Sequence, residues 1–171
     1  MRKEIITSED GSDTLSIPEM NETYHSIHGA LTESRHVFIA MGIDKLPKSQ
    51  KRINIFEVGF GTGLNAMTTL EWLQSNPERK INYDSIEAFP VSTDIIEKLN
   101  YASLFDFSSS VDLYSKIHQA NWDESLAVSD NFELLKVHEK LQNHSLSDNY
   151  YDCIYFDAFA PNKQEEMWDV K

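Results

Sequence analysis

Asn54-Ile-Phe-Glu-Val-Gly-Phe-Gly-Thr-Gly-Leu-Asn65 is the stretch on which the reading of this sequence turns. An apolar, β-type run from Ile53 to Val58 carries a carboxylate, Glu57, and meets three glycines, Gly59, Gly61 and Gly63. An apolar helical pattern opens directly behind them at Leu64. Strand, glycine turn and helix start in succession are the makings of a nucleotide- or nucleoside-binding loop, because glycine tolerates positive φ and lets a ligand approach the main chain. A tight strand-to-helix turn without a ligand is the plainer reading of the same residues.

Outward from this stretch the chain alternates. Behind the loop, Leu64, Met67, Leu70 and Leu73 recur at three-residue intervals, which predicts a helix buried on one side and ended before Pro77. Ile81 to Glu87 reads as a second strand, Phe132 to Val137 as a third and Tyr151 to Asp157 as a fourth. Helical patterns lie between them around Ile95, Ile96 and Leu99, and again over 101–120 with Val111, Leu113, Tyr114 and Ile117. Upstream, Ile5–Thr7 and Thr14–Ile17 flank Asp10-Gly11-Ser12 as a hairpin, and Pro18 ends the second arm. Leu31, Val37, Phe38 and Met41 then suggest one face of a helix stopping at Gly42. The expected organisation is an N-terminal hairpin-and-helix extension over 1–50 and an α/β core over 51–171.

Strands separated by helices imply right-handed βαβ units on a parallel sheet, a Rossmann-like arrangement with helices on both faces. Ligands of such sheets lie beyond the carboxyl ends of the strands. Glu57 with its glycines, Glu87 and Asp157 all stand at strand ends, so they are expected to converge on one crevice. The ligand class can be narrowed. A dinucleotide fingerprint wants a third glycine where Leu64 stands, and no Gly-Lys-Ser/Thr follows, so dinucleotide and P-loop readings both fail.

Composition sets further bounds. The 171 residues suffice for one domain, and 40% hydrophobic with 11% aromatic residues can form a core. Net charge is −13, which argues against a broad basic surface for nucleic acid. One basic cluster, Lys45, Lys48, Lys51 and Arg52, precedes the glycine loop. No signal-type apolar segment or membrane-length run occurs, and the single cysteine, Cys153, lies in an apolar run, so a cytoplasmic protein is expected. His25 and His28 lack the partner pattern of a metal site, and none is expected.

The pattern Glu57-x-Gly59-x-Gly61-x-Gly63 resembles the first motif of class I S-adenosylmethionine-dependent methyltransferases. Several further segments occur in order: Asp10-Gly-Ser12, Tyr24-His-Ser-x-His-Gly-Ala30, Glu33-Ser-x-His-Val-Phe38, Ser85-Ile-Glu87 and Asp157-Ala-Phe-Ala-Pro161. Together they resemble the tRNA 5-methylaminomethyl-2-thiouridine methyltransferases, the family of the methyltransferase half of MnmC and of stand-alone MnmD. The resemblance implies methylation of an aminomethyl group on the tRNA wobble uridine, with S-adenosyl-L-methionine as donor. It assigns Asp157 as the catalytic aspartate, and Glu57, Gly59, Phe60, Gly61, Thr62, Gly63, Asn65 and Glu87 to the donor. Glu87, 28 residues beyond Gly59, suits the ribose hydroxyls. Glu139 is a candidate for the adenine edge. Tyr24, Ser26, Glu33, Phe159 and Pro161 fall on the substrate side.

From the residues alone, Asp157 serves equally well as a cap at a strand-to-helix turn. Ala158 stands where the family has glycine, and Glu165 where many members have proline. Family sheets contain more strands than the four legible here, so the core is expected to lack its C-terminal strands. An aminopropyltransferase of the spermidine-synthase kind and a non-catalytic, methyltransferase-like remnant remain alternatives.

Overall fold

A computed structural model describes residues 2–161 and 163–168. The chain opens with β1 (Glu4–Thr7), β2 (Asp13–Ile17) and β3 (Glu22–Thr23), which form a small antiparallel sheet in that order. The hairpin expected around Asp10-Gly11-Ser12 is present, with Gly11 at φ +83°. The two-residue β3 was not foreseen, since a run so short leaves no alternation to detect. Helix α1 (Ala30–Ser34) follows and runs into a π-helical turn over Arg35–Ala40.

That turn corrects one expectation. Leu31 and Phe38 are buried, but Val37 and Met41 are exposed. The Met41 N–H donates to the His36 carbonyl, five residues back, so the face repeats at longer than 3.6 residues and the four positions separate.

The main sheet contains β4 (Arg52–Val58), β5 (Lys80–Ile86), β6 (Ser125–Ser129), β7 (Phe132–Val137) and β8 (Cys153–Phe156). Its spatial order is β6-β7-β5-β4-β8. Four strands are parallel, as expected, while β6 pairs antiparallel with β7. The sheet is therefore five-stranded and mixed, where four parallel strands were expected. β6 escaped notice because only Val128 of its five residues is buried, so Ser-Leu-Ala-Val-Ser shows little hydrophobic alternation.

Helix α2 (Leu64–Gln74) starts directly behind the glycines. It is buried nearly all round rather than on one side, since Asn65, Thr68 and Thr69 are enclosed along with its apolar residues. The 93–119 region holds α3 (Thr93–Ile96), α4 (Tyr101–Leu104) and α5 (Ser110–Gln119). The main core joins α2 and α5 to one sheet face through Ile53, Ile55, Leu64, Met67, Tyr83, Ile117 and Leu134. On the opposite face a smaller cluster of Phe56, Val58 and Ile86 lies with Leu141 and Met167, from 3-10 turns at Leu141–Asn143 and Glu165–Met167. Among the described residues no helix is long and apolar enough to cross a membrane.

Candidate active site

The crevice follows from register. In the parallel pairs Val58 stands beside both Ile86 and Phe156. Hydrogen bonding then continues past the strands. Gly59 N–H donates to the Ile86 carbonyl (2.9 Å), Glu87 N–H to that of Val137 (2.9 Å) and Asp157 N–H to that of Val58 (3.0 Å). Gly59, Glu87 and Asp157 are thereby held level at the carboxyl edge of three adjacent strands. Chain order reverses here, because β4 has β5 on one side and β8 on the other, and such a switch point opens a crevice.

The glycine loop fills part of this edge. Gly59 takes φ +95°, and a Cβ on it would lie 2.8 Å from the Asp157 carbonyl oxygen. Only glycine lets the loop and the Asp157 turn approach this closely. Gly63, at φ +73°, caps α2, and its Cβ would strike the His118 ring at 2.9 Å. His118 in turn reaches the Thr62 carbonyl (3.2 Å), and the buried Lys136 ammonium lies 5.2 Å from the Phe60 ring centre. The loop is thus braced from behind as well as anchored at its start.

A cavity of about 820 Å³ lies over this edge. Of the residues singled out from sequence, Gly59, Phe60, Gly61, Thr62, Asn65, Glu87, Glu139, Tyr24, Ser26, Glu33, Asp157 and Phe159 line it. Three do not. Glu57 is completely enclosed beneath the floor, Gly63 faces His118, and Pro161 lies exposed beyond the cavity wall. The cavity also takes in Lys3, Met20, Leu141, Gln142 and Lys163, for which the sequence offered no periodicity or motif. The basic cluster that precedes the glycine loop lies elsewhere: Arg52 and its neighbour Lys80 begin β4 and β5, at the far end of the sheet.

Acids outnumber lysines in the cavity lining, Glu22, Glu33, Glu87, Glu139 and Asp157 standing against Lys3, Lys140 and Lys163. Glu87 accepts from the Gly61 N–H (3.1 Å) through Oε2 and from the Phe89 N–H (2.8 Å) through Oε1. Both oxygens keep acceptor capacity, since a carboxylate offers about four lone-pair sites. Burial raises the Asp157 carboxyl to about 7; the Asn65 hydrogen bond opposes this, and Glu33 and Glu87 add to it. Asn65 Nδ2 donates to Asp157 Oδ2 at 2.8 Å. Below it, burial raises Glu57 to about 8, against a 2.6 Å hydrogen bond from the Ser85 hydroxyl. Near neutral pH the floor residue is therefore mostly protonated, and Asp157 is balanced between its two forms.

The outer wall comes from the N-terminal segment. Tyr24 packs edge-on against Phe159 with ring centres 5.5 Å apart. Glu33 Oε2 accepts from the Ser26 N–H at 2.7 Å, which folds the Tyr24–Ser26 loop toward α1. That helix is itself held by the hairpin turn, since Asp10 Oδ2 accepts from the Thr32 N–H and hydroxyl. On the opposite rim Glu139 lies 3.2 Å from His144 Nδ1, and the His144 ring stacks on Phe56. Ala158, where glycine was expected, is absent from the described positive-φ residues, so its Cβ costs no backbone strain there.

The residues fit S-adenosylmethionine. The cavity has ample volume, Gly59 and Gly61 line it, and Glu87 presents an acceptor at the end of the neighbouring strand.

Known proteins resemble this chain in sequence and in fold. Residues 108–171 match the family described as S-adenosyl-L-methionine-dependent methyltransferase. The bifunctional tRNA 5-methylaminomethyl-2-thiouridine biosynthesis protein MnmC of Leptospira borgpetersenii is 31% identical over 164 residues, covering 87% of this chain and 24% of that protein. Its counterpart in Cupriavidus metallidurans is 30% identical, covering 96% of this chain and 25% of that protein. The chain spans about a quarter of the length of these curated relatives. The crystal structure of MNMC2 from Aquifex aeolicus superposes with a TM-score of 0.79 at 24% identity, covering 98% of this chain and 53% of that one. That likeness establishes a Rossmann-like methyltransferase fold.

Proposed function

We propose that this chain, which resembles the methyltransferase region of the MnmC proteins, is an S-adenosylmethionine-dependent N-methyltransferase acting on the aminomethyl group of a wobble uridine in tRNA. The observation that carries the proposal is the half-buried Asp157 carboxyl, balanced near neutrality over a glycine loop with Glu87 at the next strand end. When bound, S-adenosylmethionine supplies an electrophilic methyl on a sulfonium.

The chain's own residues hold and prepare the partners. Glu87 receives the ribose hydroxyls on its remaining lone pairs while its bonds to Gly61 and Phe89 keep it fixed. Gly59, Phe60, Gly61 and Thr62 form the floor, Asn65 adjoins them with its amide turned to Asp157, and Glu139 would border the base. Tyr24, Ser26, Glu33 and Phe159 form the substrate wall. An alkyl amine is mostly protonated at neutral pH and then has no lone pair to offer. Asp157, with a pKa near the working pH, accepts a hydrogen bond from that amine, orients it and takes its proton. The acid-rich cavity favours a cationic guest, and Phe159 against Tyr24 excludes water.

Transfer of a labelled methyl from S-adenosylmethionine to tRNA bearing 5-aminomethyl-uridine tests the proposal. Uptake by that tRNA, with none by tRNA lacking the aminomethyl group, is the expected result. Binding of decarboxylated S-adenosylmethionine in preference to the parent donor, without methyl uptake, would overturn it.

A further inference from the structure

Asn65 lines the cavity from the first turn of α2, yet its side-chain amide is directed at protein. Nδ2 donates to Asp157 Oδ2 at 2.8 Å, and Oδ1 accepts from the Ser34 hydroxyl at 2.7 Å. The residue is 2% exposed and Ser34 is fully buried. Ser34 lies 3.0 Å from the Thr68 hydroxyl, and Thr68 donates to the Asn65 carbonyl at 3.0 Å. The amide is thereby clamped on both sides. A hydroxyl proton points at Oδ1, so the NH₂ group must face the carboxylate.

Groups facing Asp157 from the surrounding elements make this donor matter. Glu57 comes from β4, Tyr83 from β5, Glu87 from the loop after it, Glu33 from α1 and Tyr101 from α4. None of these is a cation. Among the described residues, Asn65 is the one side-chain hydrogen-bond donor on the Asp157 carboxylate. It occupies Oδ2, and Asp157 lines the cavity.

We propose that Asn65, clamped by Ser34, is a positioning residue for Asp157: it fixes the carboxylate rotamer and favours its ionised form so that Oδ1 meets the substrate amine. This rests on the proposed function and deepens it. The residue types suit the task. An amide offers a donor to Asp157 and an acceptor to Ser34 at once, whereas an aspartate would add another negative charge and a leucine would leave Asp157 without its partner. The proton moves from substrate nitrogen to Asp157 Oδ1, and the Asn65 hydrogen bond stabilises the ionised form before that transfer.

Two variants test this, each checked by thermal melting for retained folding. Asn65→Ala removes the donor, while Ser34→Ala leaves the amide in place but unclamped. The expected kinetic pattern is a kcat reduced more than tenfold in Asn65→Ala and severalfold in Ser34→Ala, with donor affinity changed less than threefold in both. The pH at which the rate is half-maximal should rise in Asn65→Ala, because loss of a bond to the ionised form raises the acid's pKa. A separate readout needs no turnover: the Asp157 carboxyl, followed by carbon-13 NMR, should titrate at higher pH in both variants than in the parent.

Unchanged Asp157 titration in Asn65→Ala would overturn the assignment. So would a donor affinity weakened tenfold with kcat intact, which would make Asn65 a donor ligand instead. If the parent transfers no methyl at all, the functional proposal fails, while the NMR titration still decides the Asn65–Asp157 coupling.

Discussion

Replacing Glu87 by alanine tests the donor site at its most exposed assumption, and the structure sets the size of the effect. Glu87 lies at the end of β5, level with Gly59 and Asp157, and its two oxygens already accept from the Gly61 and Phe89 amides. Each hydrogen bond from a ribose hydroxyl to a carboxylate contributes roughly 1.5–3 kcal/mol. Water restores part of this in the variant, so a net loss of about 3 kcal/mol is expected, which corresponds to about two orders of magnitude in Kd. Loosening of the Gly61 amide acts in the same direction. Calorimetric titration with S-adenosylmethionine measures the change, and a donor analogue lacking the ribose hydroxyls isolates its cause. The parent should bind that analogue far more weakly than S-adenosylmethionine, while Glu87→Ala should bind the two almost equally. Unchanged donor affinity in Glu87→Ala, or a variant that still discriminates between the two ligands, would refute the ribose assignment.

Other perturbations probe the remaining parts of the site. Asp157→Ala should retain donor binding and lose methyl transfer by roughly 10²–10⁴-fold, the usual contribution of a positioned acid–base group, as read in a labelled-methyl assay. With Asp157 at about 7, the parent rate should climb about tenfold from pH 6 to pH 8 as the carboxyl ionises, and a flat profile would contradict its role. Glu57 is raised in the folded state from its ordinary 4.5 to about 8, so its folded form binds a proton more tightly than its unfolded form. Stability is then fullest below about pH 4.5 and falls by about 1.4 kcal/mol per pH unit on the way to about 8. Glu57→Gln should flatten that decline in denaturant titrations at successive pH values. Gly59→Ala should lose roughly 1–3 kcal/mol of stability and most donor binding, measured by melting and calorimetry, because its Cβ meets the Asp157 carbonyl at a strained φ.

Much of this was legible in the sequence, for identifiable reasons. β4, β5 and β7 are flanked by helices or turns and bury enough apolar residues to show as runs, while β8, with only Tyr155 buried, shows as the unbroken apolar run Cys153-Ile-Tyr-Phe156. Glu87 and Asp157, just past the ends of β5 and β8, marked the crevice, whereas Glu57 lies beneath it. β6 was not legible, because Ser125-Leu-Ala-Val-Ser129 begins and ends on serine and holds no long apolar run. The π-helical turn at Arg35–Ala40 was hidden for a different reason, since a 3.6-residue template misassigns faces wherever the hydrogen bonds skip five. Charge was no guide to the cavity. The conspicuous cluster at Lys45–Arg52 belongs to the amino end of the sheet, while Lys3 and Lys163, distant in sequence, share the cavity.

The glycine motif located the site but not the division of labour within it. Glu57 sits inside the motif and was grouped with donor ligands, yet its side chain is enclosed and bonded to Ser85. Asn65, at the motif's other end, is directed at Asp157 across 92 residues of chain. Contacts of that separation depend on which strands become neighbours, and the β4–β8 pairing follows from the sheet order rather than from local pattern. Ser34 illustrates the same limit. A serine within a short helix gives no local sign that its hydroxyl braces an amide on α2.

The reaction proposed for this chain moves a methyl group from S-adenosylmethionine to an aminomethyl-uridine of tRNA, with Asp157 as the proton acceptor. Labelled-methyl incorporation, compared between the parent chain and Asp157→Ala at saturating donor, tests it most directly. The account predicts label in the aminomethyl-uridine with the parent and a loss of at least a hundredfold with the variant, both binding donor alike. Equal incorporation by the two proteins would contradict it.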